Sequence, residues 1–305
     1  MVTGAAGFIG RALCGELARR GHIVLAATRG ATPPIAGAES CPVGDIGPRT
    51  AWSRHLDGIE IVIHLATRAH RPTSVAAGEV EVEAAANLAQ AAAAAGIRRF
   101  VLMSSIRAMG QATQPGAPFR ATDPPHPGDS YGRTKLAIER ALVVVARQSG
   151  LDLVILRPPL VYGPGAKGNL RSLIRLVASG LPLPFAAIDN RRSLISVDNL
   201  ADLTATACFH PAASGQLLLA RDAHDLSTPR LIRALTVGFG RPARLFTIPR
   251  GAFAILSRFP AVGPAISILI SSLQVEDGET RRALGWLPVI SPEAGLAAAA
   301  RAYKR

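Results

Sequence analysis

Lysine is nearly absent from this 305-residue chain: Lys135, Lys167 and Lys304 are the only three among 34 basic residues, so 34 − 3 leaves 31 arginines. Acidic residues number 21, and the formal net charge is +13. Aromatic residues are scarce at 5%, and no basic block is interleaved with them, which argues against a nucleic-acid-binding surface. Scattered arginine reads instead as solvated surface, with a few side chains available to meet an anionic ligand. Cysteine is limited to Cys14, Cys41 and Cys208. An odd number without C-x-x-C spacing argues against a disulfide framework or a zinc site, and suits a reducing cytoplasm. No secretory signal fits, because the first ten residues carry glycines where an apolar stretch belongs. The most membrane-like stretch, Gly251 to Leu273, is broken by Arg258, Pro260 and Pro264, and is too short between breaks to span a bilayer. Helices of a globular domain are its main reading, with a peripheral membrane contact as the lesser alternative.

Against these absences, 49% of the residues are hydrophobic, enough for a large core in one composite domain or two. Gly4, Gly7 and Gly10 stand three residues apart between a short apolar stretch (Met1, Val2, Thr3) and a helical pattern with Ile9, Leu13 and Leu17 on one stripe. A pyrophosphate reaches main-chain N–H groups at a helix N-terminus only where no Cβ intrudes. The spacing differs by one residue from the G-x-G-x-x-G dinucleotide fingerprint, and a plain strand-to-helix turn is the alternative. Gly21 stands where a C-cap is expected, and Ile23 to Ala27 reads as a second strand. Further strands are expected to end near Cys41, Leu65, Met103 and Leu156. Ala84 to Ala95 reads as an alanine-dense helix closed by Gly96, and Ser130 opens another. Such alternation implies a parallel sheet with helices on both faces.

Tyr131 and Lys135 occupy i and i+4 of that last helix, neighbours on one face. Upstream, Phe100 to Met103 forms a buried-strand run that ends in Ser104-Ser105, where a strand's C-terminal end presents hydroxyls to a ligand. A tyrosine with its ordinary pKa near 10 can act as a base at neutral pH only if a close cation favours the phenolate.

Glycine loop, strand-end serine and Y-x-x-x-K, in that order, resemble the short-chain dehydrogenase/reductase family. Val62 to Ala66, Arg157 to Pro164, Arg192 to Asn199 and Leu284-Gly285-Trp286 resemble motifs of its extended, nucleotide-sugar branch, collinearly along the chain. The likeness is to bacterial UDP-sugar 4-epimerases and UDP-4-keto-6-deoxy-N-acetylglucosamine 4-reductases. It implies an α/β, Rossmann-like, doubly wound parallel sheet with a smaller, mainly helical C-terminal substrate domain. Residues 1–165 would bind the dinucleotide, with a returning segment at about 193–220 that brings back a strand near Leu194 to Val197. Residues 166–192 and 221–305 would form the cap over the substrate. The first strand is shorter than the resemblance leads one to expect, so either it is truncated or the start codon is misplaced.

The resemblance also implies roles. Tyr131 is the acid and base, Lys135 lowers its pKa and holds the nicotinamide ribose, and Ser105 bonds the reacting C4 oxygen, with Ser104 the adjacent alternative. Gly4, Gly7, Phe8, Ile9, Gly10, Leu65, Ala66 and Pro158 would line the cofactor cleft, and Asp45-Ile46 would reach the adenine. Asp45 could equally be an ordinary turn aspartate, and His64 either a packed core histidine or part of that lining. Arg192 is expected on the substrate diphosphate and Asn169 near the phosphates, with a helix N-cap as the latter's plain alternative. Asp198 and Asn199 read as structural, and no residue set binds metal. A homodimer through the Tyr131 helix and its neighbour follows from the same likeness.

Two departures stand out. The position at the end of strand two that usually holds an acid for the ribose 2′-hydroxyl is Thr28, followed by Arg29, which favours NADP(H) over NAD(H). Glu81 replaces an asparagine that helps organise the proton path around the lysine, and Ala84-Ala85 replaces Gly-Thr. Three functions follow: a 4-epimerase of UDP-hexoses or UDP-N-acetylhexosamines, preferred; an NADPH-dependent 4-ketoreductase; and a non-catalytic dinucleotide sensor.

Overall fold

The computed structural model describes residues 1–30, 33–67, 75–259 and 263–303; Pro260 and Lys304 lie outside them. Its first half alternates β1 (Val2–Thr3), α1 (Phe8–Arg19), β2 (Leu25–Thr28), β3 (Glu39–Pro42), β4 (Ile61–His64), α2 (Val75–Ala94), β5 (Arg99–Met103), α3 (Ser130–Ser149) and β6 (Asp152–Arg157). Then come β7 (Leu160–Tyr162), α4 (Gly168–Ala178), β8 (Leu194–Ser196), α5 (Val197–Phe209) and β9 (Leu217–Leu219). Helices α6 (Thr228–Gly238), α7 (Arg250–Leu256), α8 (Gly263–Ile270), α9 (Gly278–Leu284) and α10 (Pro292–Tyr303) complete it.

Seven strands form one all-parallel sheet in the order β3-β2-β1-β4-β5-β6-β9. The direction of winding reverses between β1 and β4, and it is outside the C-terminal ends of strands at such a reversal that open α/β sheets bind ligands. Both faces are covered, so the central strands read as continuous apolar runs with alternate residues facing opposite ways. Val62, Phe100, Leu102, Leu153 and Ile155 pack with Leu88, Ala92, Ile138 and Leu142 of α2 and α3. Ile63, Val101, Met103, Val154 and Leu156 pack with Leu13, Leu17, Leu200 and Leu203 of α1 and α5.

A separate apolar cluster joins α4, α6, Phe253 of α7 and Leu296 of α10. Tyr162 and Leu194 of the two-stranded β7-β8 sheet belong to it. Asn199 fastens the C-terminal region: it is fully buried, donates to the Asp222 carboxylate at 2.6 Å and accepts from the Val289 and Ile290 amides. Trp286 is buried against α5, where its indole N–H donates to Asp202 at 2.7 Å.

Three expectations change. The strand at 194–196 pairs with β7 rather than rejoining the large sheet, and the seventh strand is Leu217–Leu219. Helix α2 starts at Val75, nine residues before Ala84, because Glu79, Glu81 and Glu83 interrupt the apolar pattern without interrupting the helix. Ile23 is 87% exposed and precedes β2, which begins at Leu25. Cys14 and Cys208 are buried thiols and Cys41 is half-buried, all unpaired.

Candidate active site

The glycine loop is built by contact distances. A Cβ on Gly10 would lie 2.4 Å from the Gly4 carbonyl oxygen and 2.6 Å from the Ala5 Cα, so a larger residue would push α1 off the end of β1. Gly4 has φ +69°, and a Cβ there would meet the Ala66 amide at 2.9 Å. Leu65-Ala66 thus lies directly against Gly4, and the first turn of α1, with Phe8 and Ile9, opens above them. This cradle, which side chains would fill, fits a pyrophosphate at a helix N-terminus. Pro158 lies beyond the end of β6, where its carbonyl accepts from Ile106 N at 2.9 Å.

His64 is 3% exposed, shares a 2.8 Å hydrogen bond with the Thr3 hydroxyl and tilts against Phe100. Its ring therefore ties β4 to β1, while the backbone just after it faces the loop. Burial, helped by the nearby Lys135 charge, depresses its pKa to about 3. Asp45 is exposed and borders a cavity of about 720 Å³ with Thr50, Arg54, His55 and Glu83; Ile46 beside it packs into the sheet core. Thr28 turns its hydroxyl into its own loop, donating to Gly30 O at 3.0 Å, whereas Arg29 is exposed.

Ser105, Tyr131 and Lys135 are brought together. Ser105 caps a short 3-10 helix (Ile106–Ala108), accepting from Arg107 N at 3.2 Å, and its hydroxyl shares a side-chain hydrogen bond with the Tyr131 phenol. Ser104 points elsewhere, to the buried Glu139 carboxylate. The Lys135 ammonium lies 5.8 Å from the Tyr131 ring centroid and is 2% exposed as a residue. Helix α3 is held at this place by Asp129, whose carboxylate accepts from Gly132 N at 2.7 Å and pairs with Arg107. A Cβ on Gly132 would come within 2.2 Å of the Arg107 carbonyl. Sequence reasoning missed this clamp, although Asp129 at the residue before Ser130 is an N-cap signal.

The electrostatics correct one expectation. The Tyr131 pKa is raised, first by burial and further by Glu81, with the Ser105 hydrogen bond and Arg107 opposing. Lys135 is not among the groups that lower it; its ammonium pairs with Glu81 at 3.7 Å, and Glu81 also accepts from Thr67 Oγ1 at 2.6 Å. Burial lowers the Lys135 pKa, while Glu81 and then Glu139 raise it. Glu139 in turn binds Arg157, which donates to it at 2.9 and 2.5 Å.

Arg192 is half-buried, and its Nη1 donates to the carbonyls of Ile268 and Ser271 at the end of α8 at 2.7 and 3.0 Å. Among the described residues no carboxylate pairs with it, and burial lowers its pKa to about 10. Asn169 lies exposed in the first turn of α4, whose N-cap residue is Lys167 rather than Asn169. No group of side chains among the described residues could hold a metal ion, and no helix there is long and apolar enough to cross a membrane.

The sequence pattern of the NAD dependent epimerase/dehydratase family matches residues 1–218. A UDP-glucose 4-epimerase of Vibrio cholerae is 36% identical over 99% of this chain and 94% of its own length. Among solved structures, a UDP-N-acetylglucosamine 4-epimerase from Bacillus cereus superposes with a TM-score of 0.78 at 18% identity, covering 99% of this chain and 97% of that one. A UDP-glucuronic acid 4-epimerase from the same organism, in complex with NAD, gives 0.77 at 22% identity and covers 99% and 96%. At those identities the structures establish the fold.

Because His64 is neutral when folded and takes up a proton near the ordinary histidine pKa of 6.5 when unfolded, the unfolded chain binds more protons below that pH, and stability must fall as pH drops from 6.5 toward 3. The His64 ring resonances should not titrate between pH 5 and 9. A titration midpoint near 6.5 in the folded protein would contradict the buried geometry.

Proposed function

This chain belongs to the NAD-dependent epimerase/dehydratase family, and from that premise we propose that it inverts C4 of a UDP-linked hexose or N-acetylhexosamine. The observation that carries this reading is the near-full-length, 36% identity to a UDP-glucose 4-epimerase. The cluster of Ser105, Tyr131 and Lys135 beside a glycine cradle supports it. We assign the cradle of Gly4, Gly7, Phe8, Ile9 and Gly10, with Leu65, Ala66 and Pro158, to the dinucleotide, and Asp45-Ile46 to its adenine end. The sugar nucleotide would lie between the C-terminal edge of the sheet and a cap formed by residues 166–192 and 221–305.

When bound, an oxidised nicotinamide supplies a hydride acceptor and a positive ring charge. Ser105 orients the C4 oxygen toward Tyr131, whose phenolate takes its proton and returns it after the keto sugar has turned over. In epimerisation that proton never needs to leave the site, so no path to solvent is required. Lys135, engaged by Glu81, would hold the ribose, and the ring charge that the bound nicotinamide supplies would join it in favouring the phenolate. Arg192 offers its remaining guanidinium donors to the diphosphate; a half-buried cation without a carboxylate partner is the group an anion would satisfy. Asn169, at the N-terminal turn of α4, is placed by the same reading near the phosphates. Arg29 at the end of β2 supports a preference for NADP(H), since its guanidinium suits a 2′-phosphate and Thr28 offers no carboxylate to a 2′-hydroxyl. We assign the protein to the cytoplasm, and expect a homodimer across α2 and α3, where Val75, Val80 and Val144 are exposed.

The purified protein given UDP-glucose or UDP-N-acetylglucosamine should form the C4 epimer with no net change in nicotinamide absorbance, and Tyr131→Phe should lower kcat by about 10²–10⁴-fold. Absorbance loss only with a 4-keto-6-deoxy sugar and NADPH would establish a reductase instead. Fluorescence titration should show tighter binding of NADPH than NADH, reversed in Arg29→Glu; an unchanged ratio removes Arg29 from the 2′-phosphate. Glu81 raises both the Tyr131 and Lys135 pKa values, so Glu81→Gln should move both limbs of the pH–kcat/KM profile toward acid. A lower rate with unmoved limbs would make Glu81 merely structural.

A further inference from the structure

We propose that the outer surface around α7 docks on an anionic lipid bilayer. From Leu226 to Val275 the chain carries six arginines (230, 233, 241, 244, 250 and 258) and no aspartate, glutamate or lysine; Arg230 pairs with Glu293 and Arg241 bonds to the Val177 carbonyl, whereas Arg233, Arg244 and Arg258 are exposed. One side of this segment packs inward: Phe253 is buried and stacks on Phe185 at 5.8 Å. The other side is apolar and open. Ile255, in the last turn of α7, is 61% exposed, and just beyond the helix end Arg258 is exposed and Phe259 is 55% exposed. The chain entering α7 adds Phe246, 45% exposed, beside the exposed Arg244. Helix α8 has no fully buried aliphatic: Ile266, Ile268, Leu269 and Ile270 are all half-buried.

Apolar side chains interleaved with arginine and free of acids are the pattern of an element that lies in a membrane interface, the arginines meeting lipid phosphates while the rings enter the acyl boundary. Contact between two copies through the same patch would set arginine against arginine in an isologous interface, which disfavours a second chain as occupant. Asp189, in the loop beneath α8, is exposed but is offset by Arg191 two residues on. The placement has a consequence for the site: Arg192 is bonded to the end of α8, so docking would bring the substrate side of the cap to the bilayer.

Co-sedimentation with vesicles of 70% phosphatidylcholine and 30% phosphatidylglycerol tests this in the full chain. Wild-type protein should pellet with these vesicles, at least ten-fold less with phosphatidylcholine alone, and less as salt rises. The double variant Ile255→Glu/Phe259→Glu should lose binding by ten-fold or more. It should keep the wild-type circular dichroism, elution volume and turnover of a soluble UDP-sugar, because neither residue belongs to the site. Equal pelleting of variant and wild type, or no pelleting of wild type on anionic vesicles, overturns the proposal. So does a change of oligomeric state in the double variant, which would make this face a contact between copies. Failure of the UDP-sugar assay in both proteins would instead count against the epimerase reading and leave the vesicle result independent of it.

Discussion

A lysine ammonium cannot be taken out of water unless negative charge goes with it, and the burial of Lys135 organises the centre of this protein. Glu81 reaches it from α2, and Glu139, one turn further along α3, contributes from below but is itself held by Arg157 at the end of β6. Four charges therefore close on themselves: two cations and two anions. His64, the next titratable group beside them, is kept neutral by burial and, to a smaller extent, by the same lysine. A phenolate on Tyr131 would add a buried negative charge beside Glu81, and burial first, then Glu81, raises its pKa in the protein alone. Ionisation of Tyr131 thus calls for positive charge that arrives with a ligand, and this ties base formation to cofactor binding.

The same balance explains why Ser104 and Ser105 differ. They are chain neighbours at the end of a parallel strand, so they face opposite sides. Ser104 falls under the sheet edge into the Glu139–Arg157 network, and Ser105 falls on the cleft side with Tyr131. The 3-10 turn that follows is fixed to α3 through Arg107, Asp129 and the absent side chain of Gly132, so serine and tyrosine are registered by contacts outside the chemistry.

Much of this was legible in sequence because it depends on local spacing. The glycines at 4, 7 and 10, the i,i+4 pair on α3 and the apolar runs of β4, β5 and β6 each carry their reason within a few residues. The start of α2 was hidden because glutamates at 79, 81 and 83 obscure the helical period, although Glu81 turns inward to Lys135. Strand β8 was identified but not its partner, since pairing with β7 across some thirty residues leaves no local mark. The direction of the Tyr131 shift is hidden for a related reason: a lysine four residues away is visible in sequence, whereas the burial of the phenol and a glutamate fifty residues upstream that engages the lysine are not.

Placement of charge along the chain divides the molecule as its cores do. The sheet and its helices pair many of their arginines with acids, as in Arg20 with Asp202 and Arg99 with Asp152. The cap between Leu226 and Val275 has no acids to pair. Of its described arginines, Arg230 reaches outside the stretch to Glu293, Arg241 bonds to the Val177 carbonyl, and Arg233, Arg244 and Arg258 stand in solvent. Carbonyl bonding satisfies donors without neutralising charge, so with only Arg230 ion-paired this stretch keeps an excess of positive charge. That excess draws anions toward the cleft beside Arg192, and a polar ligand there need not be matched by any acid of the protein.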